Sequence, residues 1–419
     1  MNVLYLSPAF PPTARFFCAA LRARGIRVLG IGDEPWPAHG EYVNDYVFEP
    51  NMADPAALQR AAQSLRDRHG DFDRVDSNGE HWLDAEARLR EAFSVYGLQP
   101  SALARQRSKL GMAQLFAQAG IPHPPGVRAN DPERVREFAR HHGFPLVLKP
   151  DVGSGAMHTF SVATPAELET ALRSPLERHL IQPFVAGDIV TYDGLVDREG
   201  RIVFATSHRY DVGIMQIRQA RRDGFYYSLR EIPRALEEYG ARAVRAFDVR
   251  ERFFHLEFFE KADGSYVALE MNLRPPGGFT TDMMNHAFDF DVYSLWAAVL
   301  SGESLANFSC HPKYHTAHAG RREGRRYQLS HSELSAELGA TLVDCRPVPK
   351  AFADTMGDTA YLLRHPDLSA LLEAIELVQR VAAEPSEGEV VGSIPVGTRS
   401  KGDIDNQLAE DRPGSAGRG

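Results

Sequence analysis

One stretch of the sequence, FFHLEFFEKADGSYVALEMN at 253–272, constrains the fold most strongly. Two β-rich segments flank the pair Asp263-Gly264, which is favoured at the centre of a two-residue type I′ hairpin turn. A turn centred on that pair places Glu257 directly opposite Glu270 on the neighbouring strand. The stretch therefore predicts an antiparallel β-hairpin. Its other cross-strand pairs would be His255 with Asn272, Leu256 with Met271, and Phe258 with Leu269.

The polar face of this hairpin would bring two carboxylates together. Directly opposed like charges destabilise a sheet, so the pairing of Glu257 with Glu270 favours a cation between them. Carboxylate and amide oxygens suit Mg²⁺ or Mn²⁺, and Asn272 lies on the same face two residues after Glu270. The alternative is a solvent-exposed face on which salt screens the repulsion. The sequence thus predicts a metal site of Glu257, Glu270 and Asn272, with Arg274 close behind it.

Two lysines and a glycine-rich turn add charge of the opposite sign. Lys149 ends an apolar strand and precedes Gly153-Ser154-Gly155, whose backbone N–H groups could surround phosphate oxygens. Lys109 lies in the first turn of a predicted helix at 108–119. Each lysine alone would be an ordinary solvated side chain. Taken with the metal site, they indicate a site for a nucleoside triphosphate, with Arg274 binding a phosphate or a carboxylate.

Composition and charge exclude several classes of function. The chain has 419 residues, 43% of them apolar and 25% charged, which is ordinary for a soluble globular protein. Its net charge of −9 argues against a dedicated nucleic-acid binder, and no apolar run is long enough to span a bilayer. Three scattered cysteines favour a reducing compartment, and the N-terminus is unlike a signal peptide. These features predict a cytoplasmic protein that binds neither nucleic acid nor a membrane.

The order of strand-like and helix-like segments predicts five regions. The first hundred residues alternate strands and helices, which is typical of a small parallel sheet covered by helices. The glycine-rich loop of a dinucleotide-binding domain is missing after the first strand, where residues 7–12 (SPAFPP) stand instead. The C-terminal tail is rich in Gly, Ser and charge, which predicts disorder. The regions are 1–100, 101–188 with a lid hairpin, 189–310 with the metal site, 311–383 as a C-terminal subdomain, and 384–419 as the disordered tail.

In their order and spacing, these features resemble the ATP-grasp superfamily of carboxylate–amine ligases, in particular L-amino acid ligases and carnosine synthase-like enzymes. The resemblance extends over residues 1–300 and more weakly to 382. The segment SNGEHWLDAEARLREAFSVYGLQPSALARQRSKLGMAQLFAQAGIPHPP resembles that family's junction between its N-terminal domain and its first nucleotide-binding lobe. The resemblance implies an α/β fold with a Rossmann-like pre-ATP-grasp domain, a two-lobed ATP-grasp fold, and a small C-terminal α/β appendage.

The resemblance also implies a role for each residue of the predicted site. Lys109 and Lys149 would bind ATP phosphates, and Arg274 would stabilise the transferred phosphoryl group, which makes Arg274 and Lys149 the catalytic residues. Backbone N–H groups of the turn at Gly153-Ser154-Gly155 would cover the phosphates. The ligands of Mg²⁺ or Mn²⁺ would be Glu257, Glu270 and Asn272.

The segment LIQPFVAGD resembles the family's hinge strand, where backbone groups of Gln182, Phe184 and Val185 would hold adenine. The hinge usually begins with Glu, whereas this chain has Gln182, whose side-chain oxygen can still accept from the adenine amino group. The acid that meets the ribose normally occupies the position of Ile189, and here Asp188 stands one residue earlier. Because a one-residue shift on a strand reverses the side chain's direction, Asp188 is either a ribose ligand or a turn cap.

The implied reaction has two steps and consumes ATP. A substrate carboxylate attacks the γ-phosphate, giving an acyl phosphate and ADP, and an amine then displaces phosphate to form an amide or peptide bond. The partners would be a small carboxylate and a small amine, and the chain could pair as a homodimer. Two other interpretations stay open: a related kinase or carboxylase without an amine acceptor, and a non-catalytic nucleotide-binding protein.

The stretch at 207–233, SHRYDVGIMQIRQARRDGFYYSLREIP, is the predicted region for recognising the acid substrate. It interrupts the second lobe with arginines and tyrosines. His208, Arg209 or Arg218 would contact a substrate carboxylate, because cationic donors pair with carboxylates. The alternative is a solvated loop with no role in binding.

Three further predictions concern the amine and the shape of the pocket. Glu80, which follows Asn78-Gly79, could bind a substrate amine or cap the start of a helix. His255 could accept a proton from the attacking amine or be a hydrogen-bonded structural histidine. Gly277 and Gly278 would form the pocket floor, because glycine lets a ligand approach the backbone closely.

Overall fold

Three β-sheets organise the computed structural model within the residues that it describes, which are 1–35, 41–153, 158–211 and 222–382. The residues Met1–Val381 form one compact unit. The predictions for Ser154, Gly155, Arg218 and the tail at 384–419 lie outside the described residues.

The first sheet has four parallel strands, as the rhythm of the first hundred residues predicts. The strands are β1 (Asn2–Leu6), β2 (Arg27–Gly32), β3 (Asp45–Phe48) and β4 (Arg74–Asp76), and their order in the sheet is β3-β2-β1-β4. The helices that follow β1, β3 and β4 are α1 (Ala14–Ala23), α2 (Pro55–His69) and α3 (Leu83–Ala92). The central strands are continuous buried runs because helices cover both faces of the sheet.

The second sheet has four antiparallel strands and belongs to the first predicted lobe. The strands are β5 (Val127–Arg128), β6 (Leu146–Pro150), β7 (Phe160–Val162) and β8 (His179–Pro183), in the order β5-β8-β6-β7. The helices of this region are α4 (Pro100–Arg107), α5 (Lys109–Gln118), α6 (Pro132–His142) and α7 (Pro165–Ala171). Helix α5 starts at Lys109 because the Ser108 hydroxyl accepts from the Gly111 N–H at 3.1 Å, which caps the helix.

The third sheet is antiparallel and has eight strands, three of which come from the C-terminal region. The strands are β9 (Asp188–Val196), β10 (Ile202–Tyr210), β11 (Phe225–Leu229), β12 (Arg252–Glu260), β13 (Tyr266–Asn272), β14 (His315–Arg321), β15 (Leu342–Pro347) and β16 (Thr359–His365). Their order is β13-β12-β9-β10-β11-β14-β16-β15. The predicted boundary at residue 310 therefore divides one continuous sheet, because β14 pairs directly with β11.

The two faces of the third sheet differ in polarity. On one face, Tyr192, Leu256 and Phe258 pack against α5 and against α8 (Arg234–Ala246) in an apolar core. The opposite face carries the polar side chains of β9, β12 and β13, including Glu257. The remaining helices are α9 (Thr280–Phe288), α10 (Val292–Ser301), α11 (His331–Leu338), α12 (Lys350–Met356) and α13 (Leu368–Gln379).

The hairpin of β12 and β13 confirms the predicted pairing of the two glutamates. The observed pairs are Glu257 with Glu270, His255 with Asn272, and Leu256 with Met271. The two carboxylates are therefore direct neighbours across the ladder, and Asn272 follows on the same face because side chains alternate along a strand.

The predicted two-residue turn of this hairpin is wrong. The Gly264 N–H donates to the Lys261 carbonyl at 2.8 Å, and the Lys261 N–H donates to the Ser265 carbonyl at 2.8 Å. Residues 262–264 therefore form the loop, with Gly264 in the left-handed region at φ +77°. This is a three-residue hairpin loop, the next most common kind.

A β-bulge corrects the register that this longer loop would otherwise shift. Phe258 pairs with Ala268, so the predicted pairing of Phe258 with Leu269 is also wrong. Leu269 is the extra residue on β13, and the ladder regains the predicted register at Glu257 and Glu270. The carboxylate pair was thus predicted correctly because two deviations from the simple hairpin cancel.

Candidate active site

The opposed carboxylates Glu257 and Glu270 lie at the centre of the candidate site. The Asn272 side-chain amide donates to Glu270 Oε1 at 3.3 Å, so the predicted amide lies beside the pair. His255 Nε2 donates to Glu257 Oε1 at 3.0 Å. Burial disfavours the charged form of Glu257, but the hydrogen bond and the charge of His255 outweigh it and lower its pKa. Glu257 is therefore ionised at neutral pH.

A buried carboxylate, Asp193 on β9, holds two histidines behind this pair. It accepts from His255 Nδ1 at 2.6 Å and from His208 Nδ1 at 2.7 Å. Burial opposes both charges, yet their attraction raises the pKa of His255 to about 9 and lowers the pKa of Asp193 to about 2. A histidine that is already protonated cannot accept a proton from an amine, so the structural role predicted as the alternative for His255 is favoured.

Lys109 reaches the hairpin because Asp151 fixes the start of α5. The Asp151 carboxylate accepts from Ser108 Oγ at 2.9 Å, and its carbonyl accepts from the Lys109 N–H at 2.8 Å. Lys109 Nζ then lies 3.5 Å from Glu270 Oε2. Asp151 is a positioning residue that the sequence pattern does not single out, although it follows Lys149 by two positions.

Lys149 on β6 is the second cation of the site. It is 8% exposed, and burial followed by the charge of Lys109 lowers its pKa to about 8, against the opposing effect of Glu270 and Glu257. Lys109 from the first lobe thus contacts a carboxylate of the third sheet, and Lys149 lies near enough for the charges of Glu270 and Glu257 to act on it. Gln182 on β8 pairs with Val147 on β6. Val147 lies two residues before Lys149 on the same strand, so Gln182 and Lys149 share one face of the sheet.

The glycine turn and the hinge flank these lysines. Gly153 has φ +147°, and its carbonyl accepts from Lys109 Nζ at 2.8 Å. Gln182 is 5% exposed and donates its side-chain N–H to the Pro124 carbonyl at 3.3 Å. Since a carbonyl can only accept, the side-chain oxygen of Gln182 is the atom left for a base amino group.

The end of the hinge departs from the predicted contacts. The Phe184 N–H donates to the Pro145 carbonyl at 3.0 Å, so its carbonyl, and not its N–H, is the group that could bind adenine. Asp188 is exposed and pairs with Glu260, which places it on the face opposite to Glu257. This orientation argues against the ribose role of Asp188, while the roles of Phe184 and Val185 stay predictions.

Arg274 extends toward the first sheet, where it meets Glu80. Its Nε lies 3.3 Å from Glu80 Oε2, and Arg107 Nε lies 3.4 Å from Glu80 Oε1. The N-cap of the short 3₁₀ helix at 80–82 is Gly79, so the alternative that Glu80 caps a helix is wrong. Two guanidinium groups already neutralise Glu80, and an amine substrate would replace one of them.

His208 and Arg209 lie on opposite faces of β10, which continues to Tyr210 where a loop was the alternative. His208 is 1% exposed on the polar face, and its Nε2 has no hydrogen-bond partner among the described residues. Arg209 pairs with Glu260 on the apolar face. This orientation argues against a contact of Arg209 with a substrate carboxylate at a site that faces Glu257, while the contact of His208 stays a prediction.

Only one of the two pocket-floor glycines is closely packed. A Cβ on Gly278, which has φ +66°, would come within 2.6 Å of Met356 Cε and 3.1 Å of Tyr226 Oη. A Cβ on Gly277 would meet nothing within 4 Å. Packing therefore explains Gly278, and Gly277 stays the candidate for close approach by a ligand.

The carboxylate pair fits a hard divalent cation by its donor chemistry. Glu257, Glu270 and Asn272 present only oxygen ligands, which Mg²⁺ prefers, together with substrate phosphates, over a cage made by the protein alone. Within the described residues no three His, Cys, Asp or Glu side chains gather as a complete metal-binding set.

No family model matches the sequence. The L-arginine-specific L-amino acid ligase of Bacillus subtilis is 22% identical over 242 residues, which cover 55% of this chain and 58% of that enzyme. The chain thus spans less than two thirds of the length of this relative. The described helices include none that is long and apolar enough to cross a membrane.

Solved structures with the same fold cover almost the whole chain. The L-amino acid ligase from Bacillus licheniformis has a TM-score of 0.71 and 16% identity, and the match covers 92% of this chain and 99% of that one. The biotin carboxylase domain of the Hydrogenobacter thermophilus 2-oxoglutarate carboxylase, in complex with MgADP, ADP and bicarbonate, has a TM-score of 0.66 and 16% identity. That match covers 90% of this chain and 88% of the domain. At these identities, the comparisons establish the fold.

Proposed function

We propose that this chain, which has the fold of an L-amino acid ligase, is an ATP-grasp enzyme and an ATP- and Mg²⁺-dependent carboxylate–amine ligase. The observation that carries the proposal is the meeting of two lysines with two opposed carboxylates. Lys109 lies 3.5 Å from Glu270, and Lys149 interacts electrostatically with Glu257 and Glu270. Such a set suits a metal–triphosphate, since carboxylates bind the cation and lysines bind phosphate oxygens.

In the proposed complex, the chain's own groups bind and orient the nucleotide. Lys109 and Lys149 bind phosphate oxygens, and Gln182 accepts from the adenine amino group. The cation would be held by Glu257, Glu270 and Asn272. When bound, Mg²⁺ would neutralise charge on the β- and γ-phosphates. Arg274 binds the transferred phosphoryl group, because a guanidinium matches two phosphate oxygens at once.

The proposed chemistry has two balanced steps. An oxygen of the substrate carboxylate attacks the γ-phosphorus of ATP. The bond between the γ-phosphorus and the β,γ-bridging oxygen breaks, and ADP leaves with the electron pair of that bond. The amine nitrogen then attacks the acyl carbon, the carbon–oxygen bond to phosphate breaks, and the amine loses a proton to the departing phosphate. Positioning and charge neutralisation by Lys149 and Arg274 supply the catalysis, since phosphoryl transfer needs little covalent help.

Small acids and amines of the amino-acid class are the proposed substrates. The names of the two L-amino acid ligases that resemble this chain support that class. The MgADP complex of the biotin carboxylase domain supports the nucleotide and the metal. The homodimer and the cytoplasmic location stay predictions.

A turnover assay with a substrate pool tests the proposal. Purified protein is incubated with ATP, Mg²⁺ and mixed amino acids, and the products are identified by mass spectrometry. We expect equal amounts of ADP and phosphate and a product whose mass equals two substrates minus water. ADP release that requires bicarbonate but no amine would support the carboxylase alternative instead. An absence of nucleotide turnover under all these conditions would contradict both enzymes.

Substitution of one carboxylate tests the metal assignment. We expect Glu270→Gln to lower ATP turnover by about 100-fold or more, because one ligand of the cation loses its charge. The matched control is Glu260→Gln on the same hairpin, where Glu260 pairs with Arg209 on the other face. Both variants should keep the wild-type circular dichroism. Equal ATP turnover in the two variants would contradict the assignment of Glu270 as a ligand of the cation.

A further inference from the structure

Four charged side chains are buried together where the first sheet meets the hairpin. They are Asp76 at 4%, Glu86 at 0%, Arg90 at 2% and Arg252 at 7% exposure. Two are acidic and two are basic, so the cluster is neutral as a whole. A neutral, fully paired cluster avoids the cost of isolated buried charges, but it brings little net stability, so its geometry is the more informative property.

Arg252, the first residue of β12, connects this cluster to the end of β13. Its Nη1 donates to the Leu273 carbonyl at 2.8 Å, and its Nη2 donates to Glu86 Oε2 at 2.8 Å. The Leu273 carbonyl belongs to the peptide directly before Arg274. The guanidinium therefore fixes the backbone from which the Arg274 side chain extends.

The same cluster fixes the loop that carries Glu80. Asp76 Oδ1 accepts from the Ser77 N–H at 2.8 Å and from the Asn78 N–H at 2.9 Å. The Ser77 hydroxyl donates to Glu86 and accepts from the Gly79 N–H at 3.1 Å. The loop holds Asn78 at φ +52°, a conformation that such side-chain bonds to the backbone stabilise.

We propose that Arg252 is a positioning residue for the phosphoryl-transfer site, acting through the Leu273 carbonyl on Arg274 and through Glu86 on the loop of Glu80. This inference rests on the proposed function. Arg274 and Glu80 are 3.3 Å apart in an ion pair. Arg252 binds the peptide before Arg274 directly, and it reaches the loop of Glu80 through Glu86 and the Ser77 hydroxyl. A guanidinium suits the task because its planar fork binds two acceptors in fixed directions.

A neighbouring ion pair provides a matched control. Arg74 on β4 donates to both carboxylate oxygens of Glu251, at 2.7 and 3.0 Å, and Glu251 immediately precedes Arg252. This pair joins the same two parts of the chain, and within the described residues neither of its side chains makes a hydrogen bond or ion pair with Leu273 or Glu86. It therefore separates the docking of the first sheet from the positioning of Arg274.

The test compares two double variants that each remove one positive and one negative charge. Arg252→Met with Glu86→Gln keeps the remaining pair Asp76 and Arg90 neutral, while Arg74→Met with Glu251→Gln removes the control pair. We expect the first variant to lower kcat by about 10- to 100-fold with an unchanged KM for ATP, because a reacting group is misplaced while nucleotide contacts from the first lobe persist. The second variant should keep the wild-type kcat.

Crystal structures of both variants give a readout that needs no turnover. We expect Arg274 to leave Glu80 in the first variant and to stay beside it in the second. Equal kcat losses in the two variants, or an undisplaced Arg274 in the first, would overturn the positioning role. A wild-type protein without nucleotide turnover would contradict the proposed function alone, because the displacement of Arg274 is still measured.

Discussion

At the scale of single residues, the candidate site is a balance of charges in a poorly hydrated place. Lys149 is almost fully buried and lies near a second lysine, and both conditions disfavour its charged form. The nearby carboxylates Glu270 and Glu257 act in the opposite direction but do not restore the ordinary pKa. A triphosphate would supply the missing negative charge, so nucleotide binding and the protonation of Lys149 are linked.

This linkage predicts a pH dependence. The pKa of Lys149 is about 8 in the folded protein and 10.5 ordinarily, so the side chain is charged below pH 8 and neutral above it. We expect kcat/KM for ATP to fall above pH 8 by about tenfold per pH unit, because kcat/KM reports the free enzyme. The matched variant Lys149→Arg should lack this limb, since arginine does not titrate there. A limb that persists in the variant would assign the titration to another group.

The same shift has the opposite consequence for stability. Because the folded pKa of Lys149 lies below its ordinary value, the unfolded chain binds more protons between pH 8 and 10.5. The cost of burying the charge is fully present below pH 8, and it is relieved as the pH rises through this window. The contribution of Lys149 to the free energy of unfolding should therefore increase in the range where activity declines.

At the scale of elements, the hairpin shows how a strand pair reaches a functional register. The loop at 262–264 is one residue longer than the simplest turn, and the bulge at Leu269 compensates for it. A one-residue slip without compensation would turn Glu270 to the apolar face. The position of the proposed metal ligand Glu270 thus depends on the turn and the bulge together.

The left-handed residue of the loop can be tested by substitution. We expect Gly264→Ala to lower the free energy of unfolding by about 1 kcal/mol, because alanine is strained at φ +77°. Gly264→Asn should cost clearly less, since asparagine tolerates this conformation. Chemical denaturation of both variants measures the difference in the free energy of unfolding. Equal losses would show that backbone strain is not the cause and that the added side chain itself destabilises the loop. A Cβ at this position meets no atom within 4 Å, which makes strain the expected cause.

At the scale of the whole molecule, the first sheet is docked by ion pairs of unequal burial. The pair of Arg74 with Glu251 has side chains that are 15% and 5% exposed. The pair of Arg24 with Glu303 joins the same sheet region to the end of α10, with side chains that are 25% and 52% exposed. Solvent screens the second pair much more than the first, so the first pair should contribute more to the free energy of unfolding.

Single substitutions at these pairs measure that difference. We expect Arg74→Met to lower the free energy of unfolding by about 3 kcal/mol, because it leaves the Glu251 carboxylate buried without its main partner. Arg24→Met should cost about 1 kcal/mol or less. Thermal or urea unfolding compares the two variants directly. Similar losses in the free energy of unfolding would mean that burial does not determine the strength of these two ion pairs.

Prediction from sequence succeeded where the physical cause is local. The hairpin follows from two β-rich segments around a nearby turn, although the pairing of Glu257 with Glu270 also needs the bulge at Leu269. The helix predicted from residue 108 begins at Lys109, after the Ser108 cap. It failed for the turn itself, because Asp-Gly occurs in more than one loop type. The sequence could not place Arg209 on one face of β10, because the neighbouring strands decide which face lies toward the apolar core.

The sequence by itself determined which two strands form a hairpin and that Lys109 lies in the first turn of a helix. Only the tertiary structure decided that Asp193 lies behind His255, that Asp151 clamps Lys109, and that Arg252 holds the peptide before Arg274. These contacts join residues far apart in the chain. Those of Asp193 and Arg252 arise because β12 lies between β13 and β9, and that of Asp151 arises because the end of β6 lies beside the start of α5. The order of strands in a sheet is set by the burial of whole sheet faces, so local secondary-structure propensity carries no information about it.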